Sequence, residues 1–162
     1  MRIRGIELED LEAWCRMRQA LWPDAEAEEL RGEAEAYLAN GDLLAAVLLG
    51  EGPSGEPLGM IELSLRSYAE GCRTSPVPHI EAWYVDPKAR RQGVGRALVA
   101  AAERWARERG YREIASDTVL DNRVGERAHV ALGFAEVERA IHFRKDLAAG
   151  AVGDPASRSG ES

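Results

Sequence analysis

A mixed α/β sheet with helices on its faces is the fold class this 162-residue sequence predicts. Three observations carry it. Short apolar runs bounded by Gly and Pro, the mark of strands, are interleaved with segments whose apolar residues recur every three or four positions, the mark of helices. The early strands are joined by a turn-rich hairpin. Later, a strand passes through a glycine-containing loop into a long helix and then another strand, the pattern of a βαβ unit. The length is that of one domain large enough to bury a core without disulfide or metal staples. Residues 1–147 are read as that domain, and residues 148–162, small and polar with Gly and Pro, as a flexible tail.

Taken in order, residues 1–6 alternate as a first strand. Leu8, Leu11, Trp14, Cys15, Arg18, Leu21 and Trp22 then follow helical spacing until Pro23 stops them. A second helix is expected over 24–38, ended by Asn40-Gly41. Residues 43–49 read as a buried strand, 50–57 as a hairpin loop and 58–66 as its return strand. Residues 68–78, with Gly71, Pro76 and Pro78, are an irregular connection. Strand 79–85 ends at Asp86-Pro87. The clearest helix is 93–109, striped by Val94, Leu98, Ala101, Ala102 and Trp105 and closed by Gly110. A short strand at 113–118 and a helix at 122–132, capped by Asn122 and ended by Gly133, come next. Residues 134–145 hold no turn signal and read as one long or bulged strand that reaches a neighbouring subunit, hence a homodimer.

Composition removes several function classes. No apolar run approaches the roughly 20 residues that cross a bilayer, and Arg2 and Arg4 lead into acidic residues rather than a signal segment, so a cytoplasmic protein with no membrane partner is expected. Cys15 and Cys72 share no ligand spacing with each other or with His79, His129 and His142, which speaks against a disulfide framework and against a metal site. The net charge of −7 is unevenly placed: residues 1–81 carry 16 acids and 7 bases, residues 82–147 carry 10 acids and 13 bases. Such a chain meets a cation on one side and an anion on the other. Nucleic acid is a poor candidate, because no strongly basic face dominates.

The anion side is specific. From Val85 the sequence runs Asp-Pro-Lys-Ala-Arg90-Arg91-Gln92-Gly93-Val94-Gly95-Arg96 into the long helix. First-turn N–H groups lack internal partners and stand at the positive end of the helix dipole, so the amides from about Arg91 to Arg96 form a phosphate seat. Neither GxxxxGK[ST] nor GxGxxG is present, which excludes a Walker loop and a dinucleotide fingerprint. Arg90-x-x-Gly93-x-Gly95 after this strand, followed by Asn122 and Leu132-Gly133-Phe134, resembles the GCN5-related N-acetyltransferase family over residues 1–147. That resemblance implies the acyl-CoA N-acyltransferase fold and acetyl-CoA as co-substrate. Gln19-Ala20-Leu21-Trp22-Pro23, Tyr68-Ala69-Glu70-Gly71-Cys72, Ser75-Pro76-Val77, Ile80-Glu81, Ala115-Ser116-Asp117-Thr118 and His129-x-Ala131-Leu132-Gly133-Phe134 are similar to the aminoglycoside 6′-N-acetyltransferases.

What the resemblance implies for single residues can be stated. Arg90, Arg91, Gln92, Gly93, Val94, Gly95 and Arg96 would hold the diphosphate, with Asn122 combining a helix cap and a cofactor contact. Backbone groups of Trp83, Tyr84 and Val85, freed where the strand splays, would pair with the pantetheine arm, and an N–H there would polarise the thioester carbonyl. Glu81, in an otherwise apolar strand, and Asp117, at the end of the next, would bind ammonium groups of a polycationic sugar, and one would take the amine's proton directly or through water. A bland alternative makes each a surface charge at a strand end. Trp22, Tyr68 and Glu138 match substrate-contacting positions, with core packing as the rival for Trp22. His129 stands where the family often has a tyrosine near the thiolate, either as general acid or as a packing and hydrogen-bonding residue. The implied activity is acetyl transfer to a 6′-amine of an aminoglycoside antibiotic, a resistance function. The alternatives are acetylation of protein lysines or polyamines, or a non-catalytic acyl-CoA-binding module.

Overall fold

The computed structural model describes residues 1–41 and 43–147. The elements are β1 (Arg2–Gly5), α1 (Leu11–Leu21) entered through a 3₁₀ turn at Leu8–Asp10, α2 (Ala27–Asn40), β2 (Ala46–Glu51), β3 (Pro57–Arg66), β4 (Val77–Val85), α3 (Val94–Glu108), β5 (Ala115–Ser116) and α4 (Arg123–Ala131). They form a five-stranded sheet in the order β1-β2-β3-β4-β5. The first three pairings are antiparallel and β4–β5 is parallel.

Strand alternation sends side chains to two faces, and each face has its own core. Ile61, Leu63, Ile80, Val94, Leu98, Val99 and Ala102 close the α3 side. Ala13, Trp14, Met17, Ala34, Val47, Leu49, Met60 and Ala82 close the side covered by α1 and α2. On that second face the alternation also turns Glu62 inward, where it is 1% exposed. The Trp14 indole N–H donates to its carboxylate at 2.6 Å and the Arg18 Nε lies 3.1 Å away. Arg18 in turn donates to the Leu30 carbonyl and pairs with Glu33, each at 2.7 Å, so one buried charge cluster ties α1, α2 and β3 together. Burial pushes the Glu62 carboxyl up, against the pull of Arg18.

Three expectations are corrected. The strand expected over 43–49 begins only at Ala46, because Leu43 has φ 72° and is 74% exposed. The late strand at 113–118 shrinks to two residues. Residues 134–147 contain no strand at all. A strand needs a ladder to pair with, and the last edge of this sheet is only two residues long. Ile141 and Phe143 are therefore 75% and 93% exposed. Among the described residues no helix is long and apolar enough to cross a membrane. Cys15 and Cys72 are free thiols. The expected tail, 148–162, lies outside the described residues.

Candidate active site

The site begins with one extra residue in β4. Glu62 faces Ala82 while Leu63 faces Ile80, so Glu81 has no opposite number on β3 and forms a bulge. The bulge keeps Ile80 and Trp83 against the α3 side while Ala82 packs against α1. On the other edge of β4, β5 pairs only with His79 and Ile80. Among the described residues no strand pairs with that edge beyond Ile80, and it is open there. The Asp86 N–H donates to the Leu58 carbonyl at 2.9 Å, and strand alternation then gives the Tyr84 amide to β3 while the amides of Trp83 and Val85 face the open edge. Of the three backbone positions expected to be free, Tyr84 is thus spent on the sheet, and its ring packs with the α1 core.

The chain leaves β4 through a turn in which the Asp86 side chain accepts from the Lys88 amide at 2.8 Å. Gly93, at φ 85°, is the residue before α3 and carries no capping side chain, so the first-turn amides of α3 are not taken by a side-chain cap. A Cβ at Gly93 would meet nothing within 4 Å; glycine is needed there for its φ. At Gly95 the reason differs, since a Cβ would come 3.0 Å from the Trp83 indole. The two glycines therefore do separate work: one turns the loop, the other lets the helix sit against Trp83. Arg91 also has positive φ, 60°. Among the described residues Lys88, Arg90, Arg91 and Arg96 take part in no ion pair, which leaves a basic rim around the helix start. Arg90 lends its Nε to the Val85 carbonyl at 3.3 Å.

A pocket of about 170 Å³ lies beside the open edge, lined by Trp22, Glu81, Trp83, Asp117, Asn122 and His129 among others. Glu81 accepts from Arg66 through both oxygens, at 2.8 and 2.6 Å, and from the Ser64 hydroxyl. Burial pushes the Glu81 carboxyl up, but the hydrogen bonds from Arg66 and Ser64 outweigh it and hold the group below the ordinary carboxylate range. His79, 2% exposed, stands between the two acids, its Nδ1 3.4 Å from Glu81 and its Nε2 3.9 Å from Asp117. Burial, aided by Arg66, lowers its pKa and keeps it neutral. His129 has both ring nitrogens engaged. Nδ1 lies 2.7 Å from the Gly125 carbonyl, which can only accept, so Nδ1 carries the proton and Nε2 accepts from the Ser116 hydroxyl at 2.8 Å. The ring also stands edge-on to Trp83, 5.4 Å between centroids. Asn122 accepts from the Gly125 amide at 2.9 Å and caps α4.

Comparison with known proteins agrees with this layout. The profile of the Acetyltransferase (GNAT) family matches residues 10–134. The chain belongs to that family. Two curated relatives named aminoglycoside N(6′)-acetyltransferase type 1 come from Klebsiella aerogenes, 49% identical over 90% of this chain and 96% of the relative, and from Stenotrophomonas maltophilia, 41% identical over 90% and 93%. Among solved structures, AAC(6′)-Iy in complex with the bisubstrate analogue CoA-S-monomethyl-acetylneamine superposes with a TM-score of 0.82 at 36% identity, covering 90% of this chain and 97% of that one.

Within this acetyltransferase fold the predicted residues divide clearly. Trp22, Glu81, Trp83, Asp117, Asn122 and His129 share one pocket. Tyr68 is 66% exposed on the loop before β4. Glu138 follows Val137, which lies over Gly71 so closely that a Cβ there would come within 2.7 Å of it, so Glu138 sits beside the Tyr68 loop. That loop is anchored by Glu113, which accepts from Thr74 through the amide at 2.8 Å and the hydroxyl at 2.6 Å. Sequence reasoning missed Ser64, Arg66, His79 and Ser116. The available signal was the period of two after buried Glu62, which places Ser64 and Arg66 on the same face of β3.

Proposed function

We propose that the chain is an acetyl-CoA-dependent aminoglycoside 6′-N-acetyltransferase. One observation carries the reading: two carboxylates, Glu81 and Asp117, line a pocket beside an open strand edge, and its wall residue Trp83 packs against Gly95 in the first turn of α3, where the basic rim lies. The Trp83 ring is shared by the anion seat and the cation pocket, and the acyl group passes between them beside it. The family relatives named for the same reaction, and the bisubstrate complex of one of them, support the acceptor class.

The residues present fit acetyl-CoA. The α3 amides, with Arg91 and Arg96, match a diphosphate in charge and donor direction. The outward amides of Trp83 and Val85 match the amide groups of an extended pantetheine arm, in the manner of an added strand. The bound co-substrate supplies a thioester. The Val85 N–H, on the open edge, would donate toward the thioester oxygen as negative charge grows there. Glu81 and Asp117 hold the acceptor ammonium and draw its proton away through water, the depressed Glu81 carboxyl being a weak direct base. His129, with Nδ1 bonded to Gly125 and Nε2 to Ser116, fixes the Trp83 ring at the pocket wall rather than donating a proton. Trp22 and Tyr68 offer flat faces to sugar rings.

Residues 134–147 form no strand among the described residues, and the exposure of Ile141, Phe143 and Leu147 supports a homodimer in which this segment finds its ladder on a second copy. The cytoplasm, as the source of acetyl-CoA, is the expected compartment. The deciding experiment follows thiol release from acetyl-CoA with kanamycin or tobramycin as acceptor and maps the product. Acetylation of the 6′-amine is expected. Absence of turnover with every aminoglycoside bearing that amine would reject the function, and faster turnover of lysine peptides or linear polyamines would reassign the acceptor.

A further inference from the structure

We infer that Arg66 determines acceptor specificity: its guanidinium occupies the ammonium position on Glu81 and Asp117 and must be displaced before an amine binds. The inference rests on the function proposed above. Arg66 is the last residue of β3 and reaches across to β4, where Nε and Nη2 bond the two Glu81 oxygens at 2.8 and 2.6 Å. Its third nitrogen, Nη1, lies 3.9 Å from Asp117. The Ser64 hydroxyl takes a further lone pair of Glu81 Oε1. One internal cation therefore bridges both acids assigned to the acceptor.

An incoming ammonium meets a carboxylate whose best lone pairs are filled and a like charge at contact distance. The guanidinium is not buried, however. Its side chain is 38% exposed and that of Asp117 is 76% exposed, and the irregular 68–76 loop begins just beyond it, so the guanidinium has a path into solvent. A single ammonium only replaces one cation with another and gains little. A polyamine sugar brings several ammonium groups, satisfies Glu81 and Asp117 at once and displaces Arg66 with charge to spare. The latch thus selects multiply charged acceptors and disfavours lone amines such as a lysine side chain.

The test compares wild type, Arg66→Gln and Arg66→Lys with two acceptors: polycationic kanamycin, and monocationic methyl 6-amino-6-deoxy-glucopyranoside. Loss of a partly exposed bidentate pair is expected to lower KM for the monoamine about tenfold and for kanamycin about threefold in Arg66→Gln, with Arg66→Lys in between. Acetyl-CoA affinity, measured by calorimetry, reports an intact fold; should Arg66→Gln lose it, Arg66→Lys carries the comparison. A tenfold fall in kcat with unchanged KM would overturn the inference and make Arg66 a positioning residue for Glu81. Unchanged constants for both acceptors would overturn it as well, leaving a surface ion pair. Wild type that turns over no aminoglycoside overturns the proposed function and removes the premise, an outcome separable from the others because no variant is involved.

Discussion

Glu81 owes its place to one inserted residue, and its charge to two neighbours on β3. Its partner in the pocket, Asp117, is 76% exposed and fixed only loosely, so its contribution is to the acceptor rather than to the fold. Asp117→Ala should raise KM for kanamycin or lower kcat by about tenfold to a hundredfold, the range for a hydrogen bond to a charged group, with acetyl-CoA affinity unchanged by calorimetry. His129→Asn should leave the alkaline limb of the kcat profile in place, because the ring's nitrogens are already committed to Gly125 and Ser116; loss of that limb would restore His129 as general acid. Away from the site, Arg4 bonds Asp10 at 2.6 and 2.9 Å and, against the opposing effect of burial, holds its carboxyl below the ordinary range. A folded pKa below the unfolded one stabilises the protein above about pH 3.9, and that stability is lost as pH falls toward the folded value. Asp10→Asn should therefore lower Tm by about 2–6 °C at pH 7, with the gap narrowing at pH 3 in thermal melts.

Among the elements, α3 was the most legible, because its apolar stripe and its bounding glycines agree with one another. The division between its glycines was not legible, since φ and the position of the Trp83 ring belong to the folded chain. Gly93→Ala should cost about 1–2 kcal/mol from left-handed backbone strain. Gly95→Ala should instead press on Trp83 at 3.0 Å, shift the wall of the pocket and weaken acetyl-CoA binding more than it lowers Tm; equal effects on both would contradict the packing role. The pocket acids were found from the family resemblance, with Glu81 standing out in an otherwise apolar strand and Asp117 at the end of the next, whereas Arg66 and His79 were not. An arginine on a strand reads as a surface charge until the folded chain shows its side chain, from a position opposite Val77, reaching along β4 to Glu81. The segment 134–145 misled for a related reason: it has strand character without a partner strand among the described residues.

At the scale of the molecule, two apolar layers clamp one sheet, and the site opens where β4 and β5 part company. Leu98, fully buried in the α3 layer, should cost about 2–5 kcal/mol when changed to Ala, read by denaturant unfolding. A dimeric mass at micromolar concentration by light scattering is expected, and a monomer would leave Ile141, Phe143 and Leu147 exposed to water. Local sequence determined the helices, the hairpin and the glycine loop, because periodicity and turn chemistry act over a few residues, and its motifs carried the resemblance to the family. Only the tertiary structure decided the bulge at Glu81, the open edge of β4 and the latch of Arg66 on the acidic pair. Those depend on register between strands far apart in the chain, which no local pattern encodes.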